Sequence, residues 1–239
     1  MKEIDIIILS NTANEVYHNL LSITVNSIKS QVGVRTNIIL VETNSAYKIK
    51  EQYNLPIDVL VIPGERFHFN KFLNYGLRYS CADYICFSNN DVRYHPFSLY
   101  YLVESMQSYG SVSPHGLGYA CCLNAANAVI EHCSLNSSFL GWCFCFTRKT
   151  LNESFDCAFD ERFSFYRQDD DIVRTLAFKN IKHALVGAAR VEHLNVKGEC
   201  GRGGNSYNLL GNKEEVHFFT EHPAQFHILD EKWNAIYCG

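Results

Sequence analysis

The clearest candidates for chemistry in this sequence are Asn89, Asn90 and Asp91, which follow a short apolar run. A buried strand that ends at this triplet would deliver the three side chains to the carboxyl edge of a sheet, where open α/β folds bind ligands. Asp91 offers oxygen ligands suited to a hard cation, and the Asn89 amide can hydrogen-bond a ribose. The triplet therefore predicts a site for a metal-bound nucleotide diphosphate. The structural alternative is a plain polar turn.

Other polar clusters and one histidine also stand at the ends of apolar segments or at a predicted helix start. They are Ser10-Asn11-Thr12, Glu42-Thr43-Asn44-Ser45, Gln168-Asp169-Asp170-Asp171 and His193. The three consecutive aspartates have a structural alternative, because a helix macrodipole favours carboxylates at its first turn.

The segments that must position these residues alternate between strand and helix patterns in the first half of the chain. Near-continuous runs of β-branched residues are typical of strands buried on both faces. We predict strands over 4–10, 37–44, 58–63 and 83–88, and helices over 15–31 and 69–80. Repeated β-α-β units predict a mostly parallel sheet with right-handed crossovers.

The second half has a less regular pattern. We predict a strand running into a short helix over 137–151, a loop opening a helix over 159–180, and a strand over 183–194. The glycine-rich segment 198–206 is expected to form a loop, and Trp233 to anchor the tail. Trp142, on the strand before the acidic cluster, is either an apolar platform for a sugar or a buried core residue.

Composition limits the class of protein. The 239 residues suffice for one large domain, with 47% hydrophobic and 19% charged residues. The net charge of -4 and the lack of a basic, aromatic-rich run argue against nucleic-acid binding. No apolar run is long enough to span a bilayer. The 10 cysteines form no CxxC pair, so we expect reduced thiols and a cytoplasmic protein.

The order of these motifs resembles the glycosyltransferases of GT-A fold, family 2 in particular. The resemblance covers roughly residues 4–195 and rests on Ser10-Asn11-Thr12, VETNS, Asn74-Tyr75-Gly76, the Asn89–Asp91 triplet, FDERFSFYRQDDD and His193. The segments FNKFLNYG and QDDDI are also similar to the β-1,4-galactosyltransferases. The resemblance implies a single α/β domain with a Rossmann-like, mostly parallel central sheet flanked by helices. Residues 1–110 would bind the nucleotide-sugar, and residues 111–239 would bind the acceptor and carry catalysis.

The function that the resemblance implies is an inverting, hexosyltransferase-type enzyme. It would move a sugar from a nucleotide diphosphate sugar, expected to be a UDP-sugar, to the hydroxyl of a glycan or another acceptor. Asp91 and His193 would hold Mn²⁺ or Mg²⁺, which neutralises the leaving diphosphate. Asp169 would be the general base, and Asp170 would bind acceptor hydroxyls.

The nucleotide-sugar is expected to contact the first strand ends and the helix over 69–80. The candidates are Ser10, Thr12, Glu42, Lys71, Asn89 and Asn90. Thr12 and Glu42 would hydrogen-bond uracil or thymine; their structural alternatives are a turn residue and a strand-end charge. Lys71 would contact the nucleotide or be a solvated helix residue. The sequence departs from the family at Gln168, where Glu is usual, and at Asn89, where the acidic triplet usually begins with Asp.

Three alternatives remain at this stage. A catalytically inactive relative would bind nucleotide or sugar only, and the departures at Gln168 and Asn89 leave it open. A nucleotidyltransferase should carry a glycine-rich basic loop after the first strand, which LSNTANEVYHN lacks. A zinc-binding module lacks the usual ligand spacing.

Overall fold

The apolar runs of the first half form the strands that the sequence predicts. The computed structural model describes residues 1–44, 54–117, 129–131, 138–164, 167–194, 197 and 225–238. The strands are β1 (Lys2–Ser10), β2 (Val34–Glu42), β3 (Val59–Val61), β4 (Tyr84–Asn89), β5 (Val92–Tyr94), β6 (Ser111–Leu117), β7 (Val129–Glu131), β8 (Cys143–Thr147) and β9 (His183–His193). The helices are α1 (Glu15–Lys29), α2 (Phe69–Leu77), α3 (Ser98–Ser105), α4 (Arg148–Phe155), α5 (Gln168–Phe178) and α6 (Gln225–Cys238).

These strands form one sheet in the order β3-β2-β1-β4-β8-β6-β9-β5, and β7 also pairs with β9. The first four strands are parallel, as predicted, with β1 between β2 and β4. The second half makes the sheet mixed, because β8 is antiparallel to both β4 and β6. Strand β9 is parallel to β6 but antiparallel to β5 and β7. The α/β fold class is confirmed.

Both faces of the sheet are covered, which explains why the first strands are almost wholly apolar. Ile4, Ile6 and Ile8 of β1 join the core cluster that contains residues of α1 and α3. Ile7 and Leu9 point to the opposite face, where they join residues of α2, α4 and α5. This alternation follows the two-residue period of a strand.

The Asn74-x-Gly76 step of α2 has a physical role in this packing. A Cβ at Gly76 would lie 2.4 Å from Ile7 Cγ2, so only glycine lets α2 approach β1 this closely. The Asn74 amide donates to the Phe159 carbonyl (2.9 Å), and its Oδ1 accepts from the Phe159 N–H (2.8 Å). Helix α2 therefore holds the start of the FDERF segment that leads to α5.

Some sequence predictions lie outside the described residues, including the glycine-rich loop over 198–206 and Ser45.

Three cysteines pack as small hydrophobes inside the sheet core, namely Cys86, Cys143 and Cys145. Within the described residues, no helix combines the length and apolarity needed to cross a membrane.

Candidate active site

The polar residues that follow β1, β2 and β4 meet at one edge of the sheet. In the parallel register Ser10 lies beside Glu42, and Leu9 lies beside Asn89. The Asn90 amide donates to Ser10 Oγ at 3.0 Å, which joins the ends of β1 and β4 directly. The predicted clustering of these strand ends at the carboxyl edge is therefore observed.

Glu42 organises the loops after β1 and β2. Its carboxylate accepts from the Thr12 N–H (3.0 Å), the Thr12 hydroxyl (2.7 Å) and the Asn44 N–H (2.7 Å). Glu42 and Thr12 both have 0% exposure, and the Asn44 amide closes the arrangement by donating to the Thr12 carbonyl at 3.0 Å. Glu42 thus has a supporting role that the sequence did not reveal. Direct contact of Thr12 and Glu42 with a nucleotide base stays a prediction.

Asp91 and His193 lie together although they are 102 positions apart in the sequence. Strand β5 pairs Val92 with His193, and the Leu194 N–H donates to the Asp91 carbonyl at 2.7 Å. These backbone bonds bring His193 Nε2 to 3.1 Å from Asp91 Oδ1. Both side chains are largely buried, with 9% and 13% exposure respectively.

This pair fits a divalent cation. Two donor atoms about 3 Å apart match neighbouring ligands of an octahedral shell with bonds of about 2.1 Å. One of the two ligand atoms is an imidazole nitrogen, which favours Mn²⁺ over Mg²⁺, because Mg²⁺ prefers oxygen ligands. In the parts of the chain that are described, no group of three or more His, Cys, Asp or Glu side chains could hold a metal. A cation here would therefore need further ligands from its substrate or from water.

Asp169 stands in the first turn of α5, as the sequence predicted for the acidic cluster. The residue is half-buried, yet its Oδ1 is buried and has no hydrogen-bond partner within the described residues. Burial raises the pKa of Asp169 to about 7, and repulsion from Asp170 adds to the rise. A carboxylate that exchanges its proton near neutral pH is suited to general base catalysis.

The neighbours of Asp169 differ sharply in their surroundings. Asp170 Oδ2 accepts from Arg167 Nη1 at 3.0 Å, and Arg167 precedes the helix with a left-handed backbone (φ 61°). Gln168 is buried, and its Oε1 has no hydrogen-bond partner in the described segments. The arginine keeps Asp170 paired, whereas Asp169 has no such partner and keeps its raised pKa.

Asp171 ties the start of α5 to helix α6. It is 3% exposed, and its two oxygens accept from Trp233 Nε1 (2.9 Å) and Lys232 Nζ (2.8 Å). Lys232 also donates to Asp160 Oδ2 at 3.1 Å. Trp233 is therefore an anchor, as predicted, but it belongs to a helix, α6, that the sequence analysis did not identify.

Two consecutive residues, Gly141 and Trp142, connect the Asp91–His193 pair with the acidic start of α5. The Trp142 carbonyl accepts from the Asn89 N–H at 2.9 Å, and its indole stacks on the His193 imidazole. A Cβ at Gly141 would lie 2.2 Å from Asp169 Oδ2, so the Asp169 carboxylate is packed against this glycine. No sequence pattern marks Gly141, because its role comes from a contact with Asp169, which lies far along the chain.

Lys71 lies on α2, away from the hydrogen bonds that join the strand ends. Its Nζ is 2.6 Å from Glu65 Oε2 and 5.7 Å from the Tyr75 ring centroid. Hydrogen bonding to Glu65 raises the pKa of Lys71, so the side chain stays cationic. Contact between Lys71 and a nucleotide stays a prediction.

A family model described as "Glycosyl transferase family 2" matches residues 7–170 of this chain. The matched range includes the strand ends, Asp91, Gly141 and Asp169. His193 and α6 lie beyond it. No curated protein matches the chain.

The fold is similar to that of TarS from S. aureus, as seen in a crystal structure. The TM-score is 0.60 at 14% sequence identity, and the match covers 78% of this chain. The chain spans 58% of the TarS chain. At this identity the likeness concerns the fold, which is the GT-A type. The similarity of two segments to the β-1,4-galactosyltransferases stays a prediction.

Proposed function

Because this chain belongs to glycosyl transferase family 2, we propose that it transfers a sugar from a UDP-sugar to an acceptor hydroxyl with inversion of the anomeric carbon. The reaction is of hexosyltransferase type and is assisted by a divalent cation. Membership in this family removes the support for the nucleotidyltransferase alternative. It also implies that a nucleotide-sugar and an acceptor are the partners of the site.

The observation that carries the proposal is the environment of Asp169. An inverting transfer needs one carboxylate that removes the acceptor proton while the hydroxyl attacks the anomeric carbon. The pKa of Asp169 is raised to about 7, mainly by burial, so the group can accept a proton and release it near neutral pH. Its packing against Gly141 places it one residue from Trp142, which contacts the metal-ligand pair.

Asp91 and His193 hold Mn²⁺ or Mg²⁺ in this proposal. The cation supplies Lewis-acid stabilisation of the diphosphate leaving group. Backbone bonds hold these two residues side by side, because Val92 pairs with His193 and the Leu194 N–H donates to the Asp91 carbonyl. Preorganised ligands of this kind do not have to be assembled during the reaction.

The nucleotide lies over the ends of β1, β2 and β4. Asn89 is the last residue of β4, Asn90 follows it, and the Asn90 amide donates to Ser10 Oγ. Thr12 and Glu42 shape the floor of this region through their buried hydrogen bonds. Residues 1–110 therefore serve the nucleotide-sugar, with Lys71 supplying positive charge at the α2 side.

The acceptor is bound by the second half of the chain, residues 111–239. Asp170 is the candidate to bind acceptor hydroxyls, and its Oδ2 already accepts from Arg167 Nη1 at 3.0 Å. Asp170 and Asp169 thus divide binding and proton transfer between two adjacent carboxylates.

A donor screen tests the proposal. UDP-sugars are incubated with the protein in Mn²⁺ or in a chelator, and released UDP is measured. Thermal shift ranks the donors by binding. We expect UDP release from at least one donor, dependent on Mn²⁺. Binding of a donor without any hydrolysis or transfer, even with acceptors added, would instead identify the chain as an inactive relative. The loss of activity would then be attributed to the departures at Gln168 and Asn89.

Gly141→Ala is expected to lower turnover by about 100-fold while UDP affinity stays close to wild type. The new Cβ would lie 2.2 Å from Asp169 Oδ2 and 2.4 Å from Asp169 Cγ, so the carboxylate must turn away. A misplacement of roughly 1 Å can cost about 100-fold in rate. Steady-state kinetics and calorimetry of UDP binding measure the two quantities. Wild-type turnover in this variant would mean that Asp169 is not held against Gly141 during the reaction.

A further inference from the structure

Trp142 and His193 stack with nearly parallel rings in the candidate active site. Their ring centroids are 4.8 Å apart, and the ring planes differ by 9°. Both residues are tied to the same region by backbone bonds, since Asn89 donates to the Trp142 carbonyl and Leu194 donates to the Asp91 carbonyl. The stack therefore joins the segment before β8 to the end of β9.

The backbone bonds do not by themselves set the orientation of the His193 ring. Pairing with Val92 fixes the Cα position, but the torsion that turns an imidazole about its Cβ–Cγ bond is broad and has no sharp preferred value. Rotation about this bond would move Nε2 away from Asp91 Oδ1. A flat partner stacked on the ring limits that rotation, because a turn of the imidazole would bring it into the indole.

The position of Trp142 is itself set by its neighbours. A Cβ at Gly116 would lie 2.9 Å from Trp142 Cζ2, so the glycine provides the space for the indole edge. The Leu140 side chain packs at the same point, with its Cδ1 3.2 Å from that Cβ position. The indole is thus enclosed between a strand of the sheet and the imidazole.

We propose that Trp142 is a positioning residue that holds the His193 imidazole in the orientation from which its Nε2 serves the metal together with Asp91. This inference rests on the metal role of Asp91 and His193 proposed above. It gives Trp142 a task different from a sugar platform, because one face of the indole is already covered by His193.

Two substitutions separate stacking from bulk. Trp142→Phe keeps a flat ring, whereas Trp142→Leu keeps an apolar side chain without one. Gly116→Ala leaves Trp142 in the chain but displaces its indole. This variant tests the stack if Trp142→Leu does not fold. Tyr79→Leu is the matched control, because it also replaces an aromatic ring by leucine but at an exposed position after α2.

The first readout needs no metal. In carbon-edited proton NMR, the His193 ring protons of the wild type should be shifted upfield by the indole ring current. A His193→Gln variant assigns these signals. The shift should persist in Trp142→Phe at reduced size and disappear in Trp142→Leu.

The second readout is Mn²⁺ affinity in the presence of UDP, measured by calorimetry and by the electron paramagnetic resonance signal of free Mn²⁺. We expect Trp142→Leu to lose about 10- to 100-fold in affinity, the usual cost of losing a group that orients a metal ligand. Trp142→Phe and Tyr79→Leu should stay within a few-fold of wild type.

Wild-type Mn²⁺ affinity in a folded Trp142→Leu or Gly116→Ala variant would overturn the positioning role and leave the metal site intact. Failure of the wild type to bind Mn²⁺ with UDP would overturn the metal role itself, and this inference with it. The NMR signals distinguish the two cases, because the stack exists or fails independently of the metal.

Discussion

Asp169→Asn is expected to lower turnover by roughly 100-fold or more, the usual scale for the loss of a general base. Asparagine keeps the shape of the side chain but cannot accept a proton from the acceptor hydroxyl. The pKa of Asp169 is raised to about 7, and the base must be ionised to act. Wild-type turnover should therefore fall as the pH drops below about 7. Donor affinity should stay within a few-fold of wild type, as measured by UDP calorimetry.

Glu153→Gln is the matched control, because it removes one carboxylate from an exposed position on α4. It should leave both turnover and the pH profile unchanged. If Asp169→Asn barely changes turnover, the base lies elsewhere and Asp170 becomes the next candidate.

The same substitution should stabilise the protein at alkaline pH. The folded-state pKa of Asp169, about 7, lies above the ordinary aspartate value of 3.8, so the folded state binds this proton more tightly than the unfolded state. Ionising Asp169 therefore costs stability, and the cost grows from about pH 4 to pH 7 and is complete above pH 7. Thermal unfolding of Asp169→Asn should occur at a higher temperature than wild type at pH 8. The difference should vanish near pH 4, and a lower unfolding temperature at pH 8 would contradict the buried, unpaired carboxylate.

His193→Ala is expected to remove the metal dependence of UDP binding. The imidazole is 3.1 Å from Asp91 Oδ1, and in our account these two side chains are the protein's ligands for the cation. Calorimetry with Mn²⁺ should show a loss of UDP affinity larger than the roughly 10- to 100-fold typical of a lost orienting partner. A chelator should weaken UDP binding to wild type and leave the variant unchanged.

His227→Ala is the control for this series, since His227 is an exposed histidine on α6. It should bind UDP as tightly as wild type and respond to the chelator in the same way. Equal UDP affinity of the wild type with Mn²⁺ and with chelator would remove the metal from the mechanism.

The first half of the fold could be predicted because its strands are long apolar runs of β-branched residues, such as IDIIILS over 4–10. β5 has only three residues, Val92–Tyr94, which is too short for any periodicity. β6 contains Pro114, which normally argues against a strand. The structure accommodates this proline beside a shift in register between Pro114 and His115.

The candidate site was predictable where polar residues follow strands directly, as Asp91 follows β4. It was not predictable where the essential contact comes from tertiary packing. Gly141 matters because the Asp169 carboxylate lies against it, and Lys232 matters because it reaches Asp171 from α6. Glycine and lysine at these positions carry no local pattern that would distinguish them from ordinary loop and helix residues.

The anomeric configuration of the product tests the central claim most directly. With a UDP-α-sugar and an acceptor in the presence of Mn²⁺, one displacement at the anomeric carbon assisted by Asp169 must give a β-linked product. Proton NMR distinguishes the two configurations by the coupling of the anomeric proton. We predict the β-linked product, whereas an α-linked product from the α-donor would contradict Asp169 as the base of an inverting transfer.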